Sequence, residues 1–478
     1  MSEACYSPST DKSRCQLDLV VIGAGSAGFS AAITAAEKGA HVIIVGFGTI
    51  GGSCVNVGCV PSKTLIRAAE TLHQSKSASR FSGITNGAKL TDWSQLVKQK
   101  DQLVSDLRQA KYSDLLSAYD NIEYRDGPAH FEGGELVVKD NILRPSKIII
   151  ATGSKTTIPP IPGIETVKYL TSTDALDLTT LPKSLLVIGG GYIGCELAQM
   201  LSRVGVKVTI VCRSTLLPKG EPEISKALTG YFRDEGITIK VGLSYERIAE
   251  QDGQVTLLAK DGCQKIEISA DQLLLTTGRS PNLDSLNLDD VGVKLDNNGG
   301  IKVDQYMQSS VSNIFAAGDV TGRDQFVYMA AYGAKVAAKN ALDGNEFKYD
   351  ASVMPAVVFS DPQVATVGLT EAEARAQGLA IKTSILGLEN IPRALAARDT
   401  RGLIKLIVDL ETKKLLGAHI IAPEGADSIQ TAAIAIKCSL TVDELAAMIF
   451  PYLTTVEGLK LAAQSFDKDI NKLSCCAG

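Results

Sequence analysis

No uninterrupted run of about 18 apolar residues occurs in this 478-residue chain, so no segment reads as a membrane-spanning helix. An excess of one charge is also missing. The 48 Lys and Arg against 53 Asp and Glu leave a net charge of −5, which supplies neither a broad basic face for nucleic acid nor a polybasic membrane anchor. The opening stretch from Met1 to Cys5 lacks a basic segment followed by an apolar one, so no export signal is read there and the cytosol is the expected compartment. In that compartment ten cysteines do not make a disulfide framework; they are buried hydrophobes, catalytic thiols or soft-metal ligands, and their spacing must decide which. With 45% hydrophobic and 21% charged residues, the chain is neither disordered nor collagen-like. Its length, against a prior of about 150 residues per domain, excludes a small metal-nucleated module and predicts several cores.

What is abundant is glycine, at 43 residues, and its placement carries the first signal. Leu17 to Val21 reads as a strand, Gly23-Ala24-Gly25-Ser26-Ala27-Gly28 as a turn, the Ala-rich stretch from Phe29 to Lys38 as a helix, and Val42 to Val45 as a second strand. Such glycines permit a tight turn, close approach of a diphosphate to the helix N-terminus, and close packing of helix on strand. The grammar returns at Leu185 to Ile188, Gly189-Gly190-Gly191-Tyr192-Ile193-Gly194, a helix through about Arg203, and Val206 to Val211. Two such units predict two dinucleotides. An acid at the end of the second strand suits an unmodified ribose, and a base suits a 2′-phosphate. The second unit has Arg213 and Lys219 there, which favours NADPH over NADH. The first has Gly46, where a carboxylate is expected for FAD or NAD. That departure leaves open a weakened site, a ribose left to water or backbone groups, or a changed position.

Further strands ending in glycine turns are read at Ile148 to Ser154, including Thr152 and Gly153, at Leu273 to Arg279, including Gly278, and at Ile314 to Asp319. A Pro-rich stretch from Ile158 to Gly163 suits a crossing between domains. From about Tyr349 strands alternate with amphipathic helices and no glycine fingerprint recurs. The expected architecture is α/β. Two Rossmann-like dinucleotide-binding domains are expected, an interrupted one over 1–155 and 275–348 and one for NADPH over 156–274, followed by a third, α+β domain over 349–478.

Cys54 and Cys59 stand five residues apart, after Gly51-Gly52-Ser53 and before Pro61-Ser62-Lys63 and a helical run to Leu72. On a helix that spacing puts two thiols roughly on one side, within reach of a strained disulfide, and a helix N-terminus lowers a thiol pKa. Here the chain resembles the flavoprotein disulfide oxidoreductases, the family of glutathione reductase and lipoamide dehydrogenase. The matching pieces are GAGSAG at 23–28, GGSCVNVGCVPSK at 51–63, GGGYIGCE at 189–196, TTGRSPN at 276–282 and AAGD at 316–319. The resemblance implies FAD in the domain over 1–155 and 275–348 and dimerisation through the domain over 349–478, with Cys59 lying against the flavin and Cys54 as the exchanging thiol. It also implies that Lys63 and Glu196 form a pair beside the flavin, Tyr192 gates the nicotinamide pocket, and Asp319 holds the ribityl chain. Gly23, Gly25, Gly28, Gly52, Ser53, Thr152, Gly153, Gly189, Gly191, Gly194, Gly278 and Arg279 complete the implied cofactor contacts.

Two features narrow the resemblance. Disulfide-reducing members carry a C-terminal His-Pro with a Glu beyond it, and the His moves protons to the thiols. This chain has Phe450-Pro451-Tyr452 with Glu457 beyond, and Tyr452 is read in the place of the His; a phenol with a reference pKa near ~10 is a poor proton shuttle. The chain also ends in Cys475-Cys476-Ala477-Gly478, and adjacent thiolates select soft cations. Together these make the chain similar to the mercuric reductase branch. That resemblance implies a homodimer taking Hg(II) as thiol complexes and serving mercury detoxification. Hg(II) would be captured by Cys475 and Cys476, passed to Cys54 and Cys59, and flanked by Tyr452 and, from the AKY segment, Tyr112. Cys5 and Cys15 are too far apart for a CxxC, so no N-terminal metal-trafficking domain is expected. A thioredoxin-reductase-like enzyme shares the fold and a terminal thiol pair but needs the missing histidine. A metal-sequestering protein without catalysis is the other alternative.

Overall fold

The computed structural model describes residues 17–469. The chain divides into two compact units, one of residues up to 54, 107–154 and 280–349, the other of residues 55–106, 155–279 and 350 onward.

The first unit is organised by a parallel five-stranded sheet in the order Ile314–Ala316, Lys147–Ile150, Leu19–Ile22, Val42–Gly46, Ile122–Asp126. Leu19 pairs with Val42 on one side and Lys147 on the other, so the central strand is covered at both edges and reads as an unbroken apolar run. One face is covered by helices Ser26–Ala36 and Val327–Asp343, whose buried Ala31, Ala32, Ala35, Ala334 and Ala337 let the two backbones lie close. The other face packs Val20 and Ile22 with Phe131 and Leu136 of a three-stranded antiparallel sheet.

The second unit repeats the parallel motif in the order Thr238–Lys240, Lys207–Val211, Ser184–Ile188, Gln272–Leu275, Tyr169–Leu170. Helices Cys59–Lys76 and Tyr192–Arg203 pack together beside it through Leu65, Ala69, Leu72, Cys195 and Met200. The unit also holds an antiparallel five-stranded sheet, Ala356–Val358, Gln363–Gly368, Leu415–Ala422, Leu403–Asp409, Ile381–Gly387, covered by helices Gly425–Lys437 and Glu457–Gln464. The α/β class is thus present with an α+β C-terminal part. Among the described residues no helix is long and apolar enough to cross a membrane.

Lys405 interrupts the buried strand Leu403–Asp409 and is 1% exposed. Its Nζ lies 2.7 Å from Glu221, 3.0 Å from Glu223 and 2.9 Å from Glu371. The three carboxylates are close enough together to hold a metal ion, but the lysine ammonium already serves them. Burial alone would lower the Lys405 pKa; the hydrogen bonds to three carboxylates outweigh it and hold the amine charged. Glu221 is also 1% exposed, so removing the cation leaves a buried, uncompensated negative charge. Lys405→Met is therefore expected to destabilise the protein by about 3–5 kcal/mol, read as a lowered thermal midpoint. Adding Glu221→Gln should recover part of the loss.

Candidate active site

The two glycine turns are built alike. The Gly23 N–H donates to Val45 O at 2.8 Å and the Gly189 N–H to Val211 O at 3.0 Å. Ala151 N–H donates to Ile22 O at 2.7 Å, and Thr276 N–H to Ile188 O at 2.9 Å. Gly23 has φ +124° and Gly189 φ +120°, a region that side chains avoid, and a Cβ on either would strike the carbonyl of Ala151 or Thr276. A Cβ on Gly28 would strike Gly23 O, and one on Gly194 would strike Gly189 O, so the third glycine lets each helix sit on its turn. Gly25 and Gly191 are the N-caps; neither helix has a side-chain cap or an acidic residue in its first turn. A Cβ on Gly191 would meet nothing within 4 Å. Two uncapped helix ends, with open space over Gly191 and only the Gly52 Cα beside Gly25, fit dinucleotide diphosphates.

In the first unit the glycine turn is joined by a second one. Thr152 Oγ1 donates to Asn282 O at 2.7 Å, Asn282 Nδ2 returns a bond to Thr152 O at 3.0 Å, and Gly153 between them has φ +71°. Ser154 Oγ donates to Asp319 Oδ2 at 2.6 Å, which fixes that carboxylate at the start of a short helical turn after Gly318. Gly52, at φ +65°, lies against Gly25, followed by exposed Ser53. Tyr112 sits in a π-helical turn, Gln109–Ser113; its Oη is 3.1 Å from Ser26 Oγ and its ring meets Phe29 edge-on with centroids 5.0 Å apart. Tyr112 is thereby fixed at the start of the first nucleotide helix.

Cys54 and Cys59 do not share one continuous helix. Helix Gly52–Val57 carries Cys54, Gly58 breaks it with φ −125° and ψ −111°, and Cys59 opens the 18-residue helix Cys59–Lys76 two residues earlier than Pro61 suggests. The single helix expected from the five-residue spacing does not form: glycine at 58 permits the break, and the break puts Cys59 in the first turn of a helix that has no side-chain cap, where the dipole favours negative charge. One turn on, Lys63 Nζ lies 2.7 Å from Glu196 Oε2, and Glu196 Oε1 accepts the Phe359 N–H at 2.9 Å. Glu196 is buried, whereas Lys63 is about a third exposed with its ammonium 4.8 Å from the Phe359 ring centroid. The pair predicted from sequence is in contact, and Phe359 is a partner that no motif indicated.

Tyr192 is the first residue of helix Tyr192–Arg203, and burial raises its phenol pKa above the ordinary value. Arg213 and Lys219 are exposed in the turn after strand Lys207–Val211. Gly278, at φ +116°, precedes Arg279, and Thr277 Oγ1 donates to Thr157 O at 2.6 Å. Cys195 and Cys212, beside the second glycine turn, are pushed up by burial, Cys212 to about 11, and stay protonated at neutral pH.

In the C-terminal segment Tyr452 is 47% exposed and Leu453 adopts φ +60° while its N–H donates to Glu457 at 3.2 Å. Burial raises the Glu457 pKa above the usual carboxylate value. Tyr452 precedes Glu457 by five residues, the interval between His and Glu in the His-Pro pattern, and the stretch 450–457 holds no histidine. Cys475 and Cys476, with Cys5 and Cys15, lie outside the described residues. The Lys405 cluster was missed by motif reading, although a lysine within Leu403-Ile404-Lys405-Leu406-Ile407-Val408 is the signal that a buried cation needs partners.

Comparison with known proteins agrees with this geometry. The model of the pyridine nucleotide-disulphide oxidoreductase family matches residues 17–338, and that of its dimerisation domain matches residues 354–463. Mercuric reductase from Lysinibacillus sphaericus is 47% identical over 465 residues, 96% of this chain and 84% of that protein. Mercuric reductase from Streptomyces lividans is 46% identical over 470 residues, covering 96% of this chain and 98% of the relative. Among solved structures, the HOCl-induced flavoprotein disulfide reductase RclA from Escherichia coli superposes with a TM-score of 0.83 at 32% identity, covering 94% of this chain and all of that one. The paired glycine turns, the dithiol helix start and these matches together make the chain an FAD- and NADPH-dependent oxidoreductase that belongs to the mercuric reductase family of pyridine nucleotide-disulphide oxidoreductases.

Proposed function

We propose that the chain reduces Hg(II), presented as thiol complexes in the cytoplasm, to elemental Hg(0) for mercury detoxification. The observation that carries this reading is a dithiol at a helix start combined with a C-terminal segment, 450–457, that holds an exposed tyrosine and no histidine. Reducing a disulfide requires protons for two leaving thiolates; reducing a dithiolate-bound metal ion does not.

When bound, NADPH supplies the hydride and FAD the two-electron relay. The protein's own groups do the rest. Uncapped amides at Gly25 and Gly191 hold the diphosphates, Asp319 oriented by Ser154 holds the flavin side chain, and Arg213 and Lys219 meet the 2′-phosphate. Tyr192, 37% exposed at a helix start, swings from the nicotinamide pocket without unpacking a core. Lys63 is pinned by Glu196, and Glu196 by the Phe359 amide, so a positive charge stands in one place near the thiol helix start. Cys475 and Cys476 capture the metal ion, and Cys54 and Cys59 take it by ligand exchange, each new S–Hg bond forming before an old one breaks. Two electrons then convert Hg(II) to Hg(0), both thiolates are released, and the neutral atom departs. Tyr452 and Tyr112 flank the ion during transfer.

The active form is a homodimer in which the C-terminal tail of one protomer serves the dithiol of its partner. The dimerisation-domain match supports the homodimer, as does an apolar surface at Met448, Ile449 and Leu453, with Ile449 98% exposed.

NADPH oxidation measured side by side with an Hg(II)-thiol complex, oxidised glutathione and oxidised thioredoxin should respond to the mercury complex alone; equal rates with either disulfide would replace this reading with a disulfide reductase. Tyr452→Phe should slow Hg(II) turnover by roughly tenfold or more while leaving the flavin absorption spectrum intact, and an unchanged rate removes Tyr452 from the route.

A further inference from the structure

The second strand of the first nucleotide unit ends in Gly46, the position from which a carboxylate ordinarily holds the adenosine ribose. The backbone there is fixed: Gly23 N–H donates to Val45 O at 2.8 Å, and Gly127 N–H donates to Gly46 O at 2.6 Å. A Cβ added at Gly46 would collide with the hydroxyl of Tyr124, lie 2.8 Å from Tyr124 Cε2 and lie 2.9 Å from the Ala24 Cβ. Gly46 is therefore not an empty site that a carboxylate has left. A tyrosine from the neighbouring strand fills it.

The register explains how. In strand Ile122–Asp126, Tyr124 pairs with Ile44 and Asp126 with Gly46, so Tyr124 and Gly46 share a sheet face and the long phenol reaches one residue pair toward the strand ends. Its hydroxyl thus lies at the end of the second strand, in the space over Gly46 that Ala24 of the glycine turn also borders. Tyr124 is partly buried, and desolvation together with the Asp126 carboxylate raises its pKa, so the phenol is neutral and able both to donate and to accept.

We propose that the Tyr124 hydroxyl, projecting into the space a side chain at 46 would need, is the hydrogen-bond partner of the adenosine ribose of FAD. A sugar hydroxyl matches a neutral group that donates and accepts, and the collision accounts for glycine at 46 as the residue that makes room. The proposal rests on FAD occupying the first glycine turn.

The test titrates flavin-stripped protein with FAD, following flavin fluorescence, in the unsubstituted chain and in three variants. Tyr124→Phe keeps the ring and should raise the FAD dissociation constant roughly three- to tenfold, with the melting temperature of the flavin-free protein unchanged. Gly46→Glu should weaken FAD binding because glutamate and Tyr124 compete for one space. Gly46→Glu/Tyr124→Ala should bring affinity back toward the starting value, since the carboxylate then has both room and the ribose. Affinity within twofold of the unsubstituted protein for Tyr124→Phe would overturn the proposal. So would a loss matched by a fall in the flavin-free melting temperature, which marks packing alone. An unsubstituted chain that binds no FAD would overturn the cofactor assignment itself, an outcome distinct from both.

Discussion

Each nucleotide turn depends on a glycine Cα pressed against a backbone carbonyl, Gly23 on Ala151 and Gly189 on Thr276. That approach brings the end of one strand, the turn beside it and the start of a helix to one point. The helix then begins without a cap, on Gly25 or Gly191, and its first amides are left for an anionic ligand. Much of the chemistry follows from where these ends are held. Asp319 is aligned by Ser154 at the end of a strand in the same sheet, and Arg213 and Lys219 follow the strand next to the second turn. Replacing either turn glycine would force the carbonyl away and move the helix start with it.

Charges away from the nucleotides are handled by a common rule: a buried ion keeps its place when it is fully paired. Glu196 has Lys63 on one oxygen and the Phe359 amide on the other, leaving little freedom for the lysine one turn into the thiol helix. Lys405 has three carboxylates, and Arg203 has Glu235 at 2.7 Å and Asp361 at 2.9 Å. These pairs are weak arguments for stability in themselves, but breaking one leaves a buried charge without a partner. They define positions more than they add energy. The raised thiol pKa values of Cys195 and Cys212 have the complementary effect, keeping two other cysteines chemically quiet beside a nucleotide turn.

The repeated strand, glycine turn and helix were legible in the sequence because steric demand at Gly23, Gly28, Gly189 and Gly194 admits no other residue. The Lys63–Glu196 contact was legible through family resemblance, since the partners are 133 residues apart and no local pattern links them. The break at Gly58 was not, because a five-residue spacing fits a single helix as well as two segments meeting at a glycine. The Lys405 cluster was not, because its acids come from Glu221, Glu223 and Glu371, remote in sequence from the strand that carries the cation. Gly46 is the instructive case. Read alone it is a missing carboxylate; only the strand pairing reveals Tyr124 in the space.

The proposed function turns on electrons reaching a metal ion and not a disulfide. The measurement that tests this most directly is mercury vapour released from an Hg(II)-thiol complex, counted against NADPH consumed in the same sealed vessel. One Hg(0) is expected for each NADPH under the proposed function. NADPH consumption with no mercury released, the electrons appearing instead as new thiols, would contradict it.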